Sequence, residues 1–97
     1  MNDLERGREI LEIYNQILER DDLTPAARAF ILGFRGDQHH LLSENDAGFA
    51  DLEEALRLDP ANDQLYSIHG ADLESAGRHE EALTFARQAL ALSPNDP

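Results

Sequence analysis

The stretch EEALRLDPAND, at residues 53–63, has a counterpart in RQALALSPNDP, at residues 87–97. The two lie 34 residues apart, and in each a segment rich in leucine and alanine runs into a proline. Five pairs of positions are identical at this offset: Gly36 and Gly70, Ala55 and Ala89, Leu56 and Leu90, Leu58 and Leu92, and Pro60 and Pro94. The number alone proves little, but the identities fall where helices pack closely or must end. Their placement indicates a structural repeat.

The rest of the chain carries apolar residues at the spacing of amphipathic helices. Leucine and alanine supply 28 residues and valine is absent, which favours helix over strand. Helices are predicted over about residues 3–20, 25–42, 46–58, 63–76 and 79–92. Thr24 and Pro25 are typical of a helix start, and Gly77 of a helix end. Ser43 and Asn45 are candidate caps for the third helix. The predicted fold class is all-α, with five antiparallel helices joined by short turns.

Glycines inside the predicted helices indicate close contacts between them. Gly33 and Gly36 lie within the second helix, where each costs about 1 kcal/mol relative to alanine, so a compensating contact is expected. We expect Gly36 and Gly70 to let the second helix of each hairpin approach closely. Gly48 and Ala82 are the small residues expected to face them from that second helix.

A period of 34 residues with these small residues and prolines resembles the tetratricopeptide repeat. The second copy follows the family pattern through Tyr66, His69, Gly70, Leu73, Ala82, Ala86, Ala89 and Pro94. The first copy follows it through Leu32, Arg35, Gly36, His39, Gly48, Leu52, Ala55 and Pro60. Arg35 and His69 replace an apolar residue of the family pattern, and Ala86 replaces an aromatic one. We therefore expect a looser core at these three positions.

The resemblance covers residues 29–96 and implies a single domain, a short superhelix of stacked helix hairpins. The predicted parts are a capping helix at residues 1–23, a first hairpin at 24–60 and a second hairpin at 61–97. The N-terminal segment is interpreted as a cap or half-repeat, because Arg20 stands where a small residue belongs. A chain of 97 residues suits one small domain, and a domain cut from a longer protein fits equally well.

Composition disfavours several classes of function. Eight basic and 20 acidic residues give a net charge of −12, and nucleic-acid binding needs a positive patch instead. There is no cysteine, which excludes disulfides and thiolate zinc sites. No apolar run is long enough to span a membrane, and the charged N-terminus lacks the core of a signal peptide. We expect a cytoplasmic protein.

No constellation of catalytic residues is evident. The best metal candidate, His69 with Asp72 or Glu74, lacks a third ligand at helical spacing. Acidic pairs such as Glu53 and Glu54 are neighbours on a helix and do not face one another. No glycine-rich phosphate loop follows a strand. The sequence therefore predicts no enzyme activity, no cofactor and no metal.

The resemblance implies that the first helix of each hairpin lines a concave face that holds a peptide or helix of a partner protein. The residues of this predicted concave face are Phe30, Gly33, Asp37, His40, Leu41, Gln64, Ser67, Ile68, Ala71 and Glu74. Family members that bind acidic C-terminal tails use lysine, arginine and asparagine here, and none of these is present. The expected partner is an apolar or basic segment.

The alternative is a structural or regulatory module whose function is self-association. The chain stops within a few residues of its last predicted helix, and fewer than three full repeats are marginal for stability. One neighbouring helix cannot bury all of the large apolar residues in this segment. A homodimer through the terminal helices would cover the surplus, and the residues assigned to it are Leu83, Phe85, Leu90 and Leu92.

Overall fold

The computed structural model describes residues 2–93, and these residues form helices and turns with no strand. The helices are α1 (Asp3–Leu18), α2 (Pro25–Leu41), α3 (Asn45–Leu58), α4 (Asp63–Ser75) and α5 (His79–Leu92). The predicted all-α class with five helices is confirmed, and the predicted helix ends differ from the observed ones by two residues at most. The helix stop predicted at Pro94 lies outside the described residues.

The start of α2 and the end of α4 follow the sequence expectations. The Thr24 hydroxyl oxygen accepts a hydrogen bond from the Ala27 N–H at 3.1 Å, with Pro25 at the first helical position. Gly77 has a φ of +82°, in the left-handed region that glycine enters without strain. These two ends are therefore determined by local sequence.

The predicted caps of α3 were wrong. Ser43 has a φ of 65° and its N–H donates to His40 O at 2.9 Å, so it ends the turn after α2. The N-cap position is Glu44, whose side chain does not bond to the helix backbone. The Asn45 side chain does not cap α3 either, because its Oδ1 lies 2.9 Å from His40 Nδ1.

Two helix hairpins, α2 with α3 and α4 with α5, form the body of the fold, and α1 packs along α2. In the first hairpin a Cβ atom added to Gly36 would lie 2.7 Å from Gly48 O, and one added to Gly48 would lie 2.6 Å from Gly36 O. The second hairpin is looser, since a Cβ atom on Gly70 would lie 3.3 Å from Ala82 O. The predicted close approach is confirmed, and it is much tighter in the first hairpin.

Helix α4 joins the two hairpins through leucines near its ends. Leu65 belongs to a cluster with Ala29, Leu32 and Ala55, and Leu73 to a second cluster with Phe49 and Ala82. Both leucines are almost fully buried, at 2% and 1% exposed. The hairpins therefore share two apolar contacts, one near each end of α4.

Arg35, which replaces an apolar residue of the family pattern, forms an ion pair at the contact between α1, α2 and α3. Its Nε and Nη2 atoms donate to the two carboxylate oxygens of Asp51, each at 2.8 Å, and Nη1 donates to Asn15 Oδ1 at 3.0 Å. Asp51 is 8% exposed. The looser core expected at Arg35 is not found, because the guanidinium has partners on both flanking helices.

Candidate functional site

Most residues of the predicted concave face present their side chains at the surface. On α2, Phe30 and Leu41 are 44% and 67% exposed, and Asp37 and His40 are half-buried. Of the predicted residues on α4, Ile68 is half-buried. The others are exposed, and they are Gln64, Ser67, Ala71 and Glu74. Gly33 is the exception, because it is buried and a Cβ atom there would lie 2.6 Å from Leu65 Cδ2.

The exposed part of α2 near α1 is aromatic. The rings of Phe30 and Phe34 meet edge to face with centroids 4.8 Å apart, and Phe34 stacks on Tyr14 of α1 at 6.3 Å. We call these three residues the aromatic patch. Phe34 is 39% exposed, although it was not among the residues predicted for the concave face. Its position one turn after Phe30 was the available signal that both share a face.

Asp37 and His40 of α2 lie near a buried acid of α4. His40 Nε2 lies 3.9 Å from Oδ1 of Asp72, a residue of α4 that is only 5% exposed. Asp37 interacts with the same carboxyl group. We call Asp37, His40 and Asp72 the acidic cluster. Sequence reasoning considered Asp72 only as a companion of His69 and missed this contact, since the two acids are 35 residues apart on different helices.

The Asp72 carboxyl group is held in an environment that opposes ionisation. Its Oδ2 atom is buried and has no hydrogen-bond partner among the described residues. Burial, reinforced by the neighbouring Asp37, raises the pKa of Asp72 to about 8. Near neutral pH the carboxyl group therefore retains its proton.

His69 lies in the core of the second hairpin. It is 2% exposed, and its ring centroid is 5.6 Å from that of Phe49 and 4.3 Å from that of Phe85. Nδ1 has no hydrogen-bond partner among residues 2–93, and burial lowers the pKa of the imidazole. In the same residues, no group of three or more histidine, aspartate or glutamate side chains is arranged to hold a metal ion.

Replacing His69 with leucine should make the free energy of unfolding less sensitive to acid. Because the folded-state pKa lies below the unfolded value of about 6.5, this contribution is present above that pH and is lost as the pH falls. Urea unfolding should show the wild type losing about 1 kcal/mol more than His69→Leu between pH 7 and pH 5. His79→Leu is the control, because it replaces an exposed histidine of the same hairpin. Equal slopes for all three proteins would contradict the assignment.

The residues assigned to self-association divide into two groups. Leu83, Leu90 and Leu92 are 50%, 70% and 40% exposed on α5. Phe85 is half-buried and packs against the second core cluster. Next to Leu83, α4 and α5 border an open groove of about 550 Å³. It is lined mainly by small side chains, which include Ala71, Ala82, Ala86 and Ala89.

Stacked hairpins with glycine and alanine at their contacts make this a tetratricopeptide-like helical-repeat fold. No family model matches the chain. Over 44 residues it is 41% identical to Protein STIP1 homolog of Dictyostelium discoideum. The match covers 45% of this chain and 8% of that protein, so the chain spans a small fraction of this relative. Among the described helices, none has the length and apolarity to cross a membrane.

Proposed function

We propose that this chain is a non-catalytic protein-interaction module that binds a peptide or helix of a partner on the concave face formed by α2 and α4. The observation that carries the proposal is the row of exposed apolar side chains along α2, from Phe30 and Phe34 to Leu41. Large side chains left open beside polar ones are typical of interaction sites. The tetratricopeptide-like fold and the similarity to the Dictyostelium discoideum protein support a protein partner.

The net charge of −12 favours an apolar or basic partner segment over an acidic one. The α2 side of the face supplies aromatic and aliphatic contact area, and Asp37 and Glu74 supply negative charge. A partner segment would therefore place apolar residues along α2 and polar or basic residues toward α4.

The concave face can be tested with a phage-displayed library of random dodecapeptides selected on the whole chain. Peptides that bind should lose about tenfold in affinity for Phe30→Ser or Leu41→Ser, a loss of about 1.4 kcal/mol of binding free energy. Leu90→Ser is the matched control, because Leu90 is about as exposed as Leu41 but lies on α5. Circular dichroism would verify that each variant folds. Peptides that bind Phe30→Ser and Leu41→Ser normally but lose affinity for Leu90→Ser would contradict the proposal.

Self-association through α5 is the second candidate, and the exposure of Leu83, Leu90 and Leu92 favours it. An apolar row of this kind is stabilised when a second copy covers it. Sedimentation equilibrium at micromolar concentrations should then detect a dimer that Leu90→Glu dissociates. A monomer under these conditions would exclude this candidate and leave the peptide-binding function in place.

A further inference from the structure

We propose that the open groove between α4 and α5 binds an amphipathic helix of a partner protein, with a basic residue of that helix at Glu74. We call this site the α4–α5 groove, and its volume is about 550 Å³. It shares Ser67, Ala71 and Glu74 with the predicted concave face, but it includes no residue of α2, whose exposed apolar row supports the proposed function. Either proposal can therefore fail without the other.

The first hairpin already holds a helix in the equivalent groove. Every residue that lines the α4–α5 groove lies 34 positions after a residue of α2 or α3, and α4 packs against both of these helices. Leu65 of α4 lies over Gly33, since a Cβ atom added to Gly33 would be 2.6 Å from Leu65 Cδ2. Leu73 of α4 packs against Phe49. The fold therefore shows that a groove of this kind is filled by a helix.

Two buried residues of α3 have exposed counterparts on α5. Phe49 is 7% exposed and Leu52 is fully buried, whereas Leu83 and Ala86, which lie 34 positions later, are both exposed. Within residues 2–93, α5 contacts no helix other than α4. Because Leu83 and Ala86 are also smaller than their counterparts, the α4–α5 groove has room for larger apolar side chains than those of α4.

The helix that fills the first groove uses one face for this contact. Helix α4 packs Leu65, His69 and Leu73 against the first hairpin, and these residues stand at positions i, i+4 and i+8. A helix bound in the α4–α5 groove in the same orientation would therefore present large apolar residues, aromatic ones included, at these three positions.

The charge at the edge of the groove identifies a fourth position. At i+7 of α4, Asp72 Oδ1 lies 3.9 Å from His40 Nε2 of α2, and the counterpart of His40 is Glu74. His40 and Glu74 make the same contact across their hairpin turns. His40 Nδ1 lies 2.9 Å from Asn45 Oδ1, and Glu74 Oε1 lies 2.8 Å from His79 Nδ1. Because an acid stands here in place of a histidine, a basic residue at i+7 of the bound helix would complement it.

A second copy of the chain does not supply such a helix. Helix α4 has Asp72 at i+7, which Glu74 would repel. In α1 the apolar spacing that begins at Ile10 has Ile17 at i+7. In none of the five helices do large apolar residues at i, i+4 and i+8 accompany an arginine at i+7. The net charge of −12 on each copy would add repulsion, so the expected partner is a different protein.

The test is a phage library of alanine-based helices of about 16 residues, a length at which such peptides form helix in water. The library is randomised at i, i+4, i+7 and i+8 and selected on the whole chain. The wild type should select large apolar residues at i, i+4 and i+8 and arginine or lysine at i+7. Glu74→Arg should select aspartate or glutamate at i+7 instead. If the two proteins select the same residues at i+7, the proposal is overturned.

A substitution in the floor of the groove locates the bound helix. Ala86→Glu places a charge in the groove at an exposed residue and should weaken a synthetic copy of a selected peptide at least tenfold. Ala91→Glu is the matched control, because it adds the same charge at an exposed alanine of α5 outside the groove. Equal losses for the two variants would exclude the groove. If circular dichroism shows that Ala86→Glu does not fold, the charge reversal at Glu74 decides alone.

Two measurements separate this proposal from the others. Phe30→Ser should bind the selected helix as the wild type does, and a tenfold loss would assign that helix to the concave face and overturn the proposal. Sedimentation equilibrium of the chain alone should show no dimer that Ala86→Glu dissociates. Such a dimer would mean that a second copy fills the groove. If random dodecapeptides fail to depend on Phe30 while helices still select a basic residue opposite Glu74, only the concave-face function is wrong.

Discussion

Replacing Gly36 with alanine should lower the free energy of unfolding by about 3 kcal/mol. The new methyl group would lie 2.7 Å from Gly48 O, and a backbone oxygen cannot rotate away as a side chain can. Separation of α2 from α3 would relieve the clash, but it would open the contact that α4 packs against. For a domain of this size, the loss corresponds to a fall in melting temperature of about 12 °C or more. Urea and thermal unfolding measure both quantities.

Gly70→Ala is the matched control for this effect. It is the equivalent position in the second hairpin, but its added Cβ atom would lie 3.3 Å from Ala82 O. A shift of a few tenths of an ångström relieves that contact, and alanine gains about 1 kcal/mol over glycine in a helix. Gly70→Ala should therefore stay within about 1 kcal/mol of the wild type. Equal losses at Gly36 and Gly70 would show that the two hairpins are packed alike.

Removing the arginine from the ion pair between Arg35 and Asp51 should destabilise the fold by a similar amount. Arg35→Ala leaves the Asp51 carboxylate at the contact between α2 and α3 without the two N–H donors that satisfy it. Loss of one partner of a buried pair costs about 3 kcal/mol. Denaturant unfolding of Arg35→Ala measures this loss.

Two further variants identify its cause. Arg35→Met/Asp51→Leu should recover most of the stability, because no unpaired charge remains in the interface. Arg57→Ala breaks the exposed pair with Glu54 and should change stability by less than about 0.5 kcal/mol. If the double variant is as unstable as Arg35→Ala, packing and not charge accounts for the loss.

Local sequence was sufficient to predict the helices and their order. Apolar spacing and the positions of Thr24, Pro25 and Gly77 reflect interactions within a few residues, so they predicted helix ends to within two residues. The repeat at Gly36 and Gly70 also predicted which residues allow close contact. It could not predict that the first contact is tighter, because that depends on the residue opposite each glycine and on the distance between the helices.

The interactions that the sequence did not predict join residues on different helices. Arg35 and Asp51 are 16 residues apart, and the repeat pattern marked Arg35 as a departure without indicating its partner. Asp72 is buried because of how α4 rotates against α2, which apolar spacing determines only approximately. Phe34 was not predicted for the concave face, and its contact with Tyr14 on the surface depends on where α1 packs.

The two hairpins differ in how firmly their second helix is held. Helix α3 buries five residues, including Gly48 at its contact with Gly36, whereas α5 buries only Ala82 and Ala89. Local openings of a protein follow the regions with the least buried surface. Helix α5 should therefore detach reversibly at a lower free energy than global unfolding, while α1, α2 and α3 remain folded. The first three helices would then stay folded while α5 exchanges between a packed and a detached form. A ligand that binds only one of these two forms of α5 would shift the equilibrium toward it.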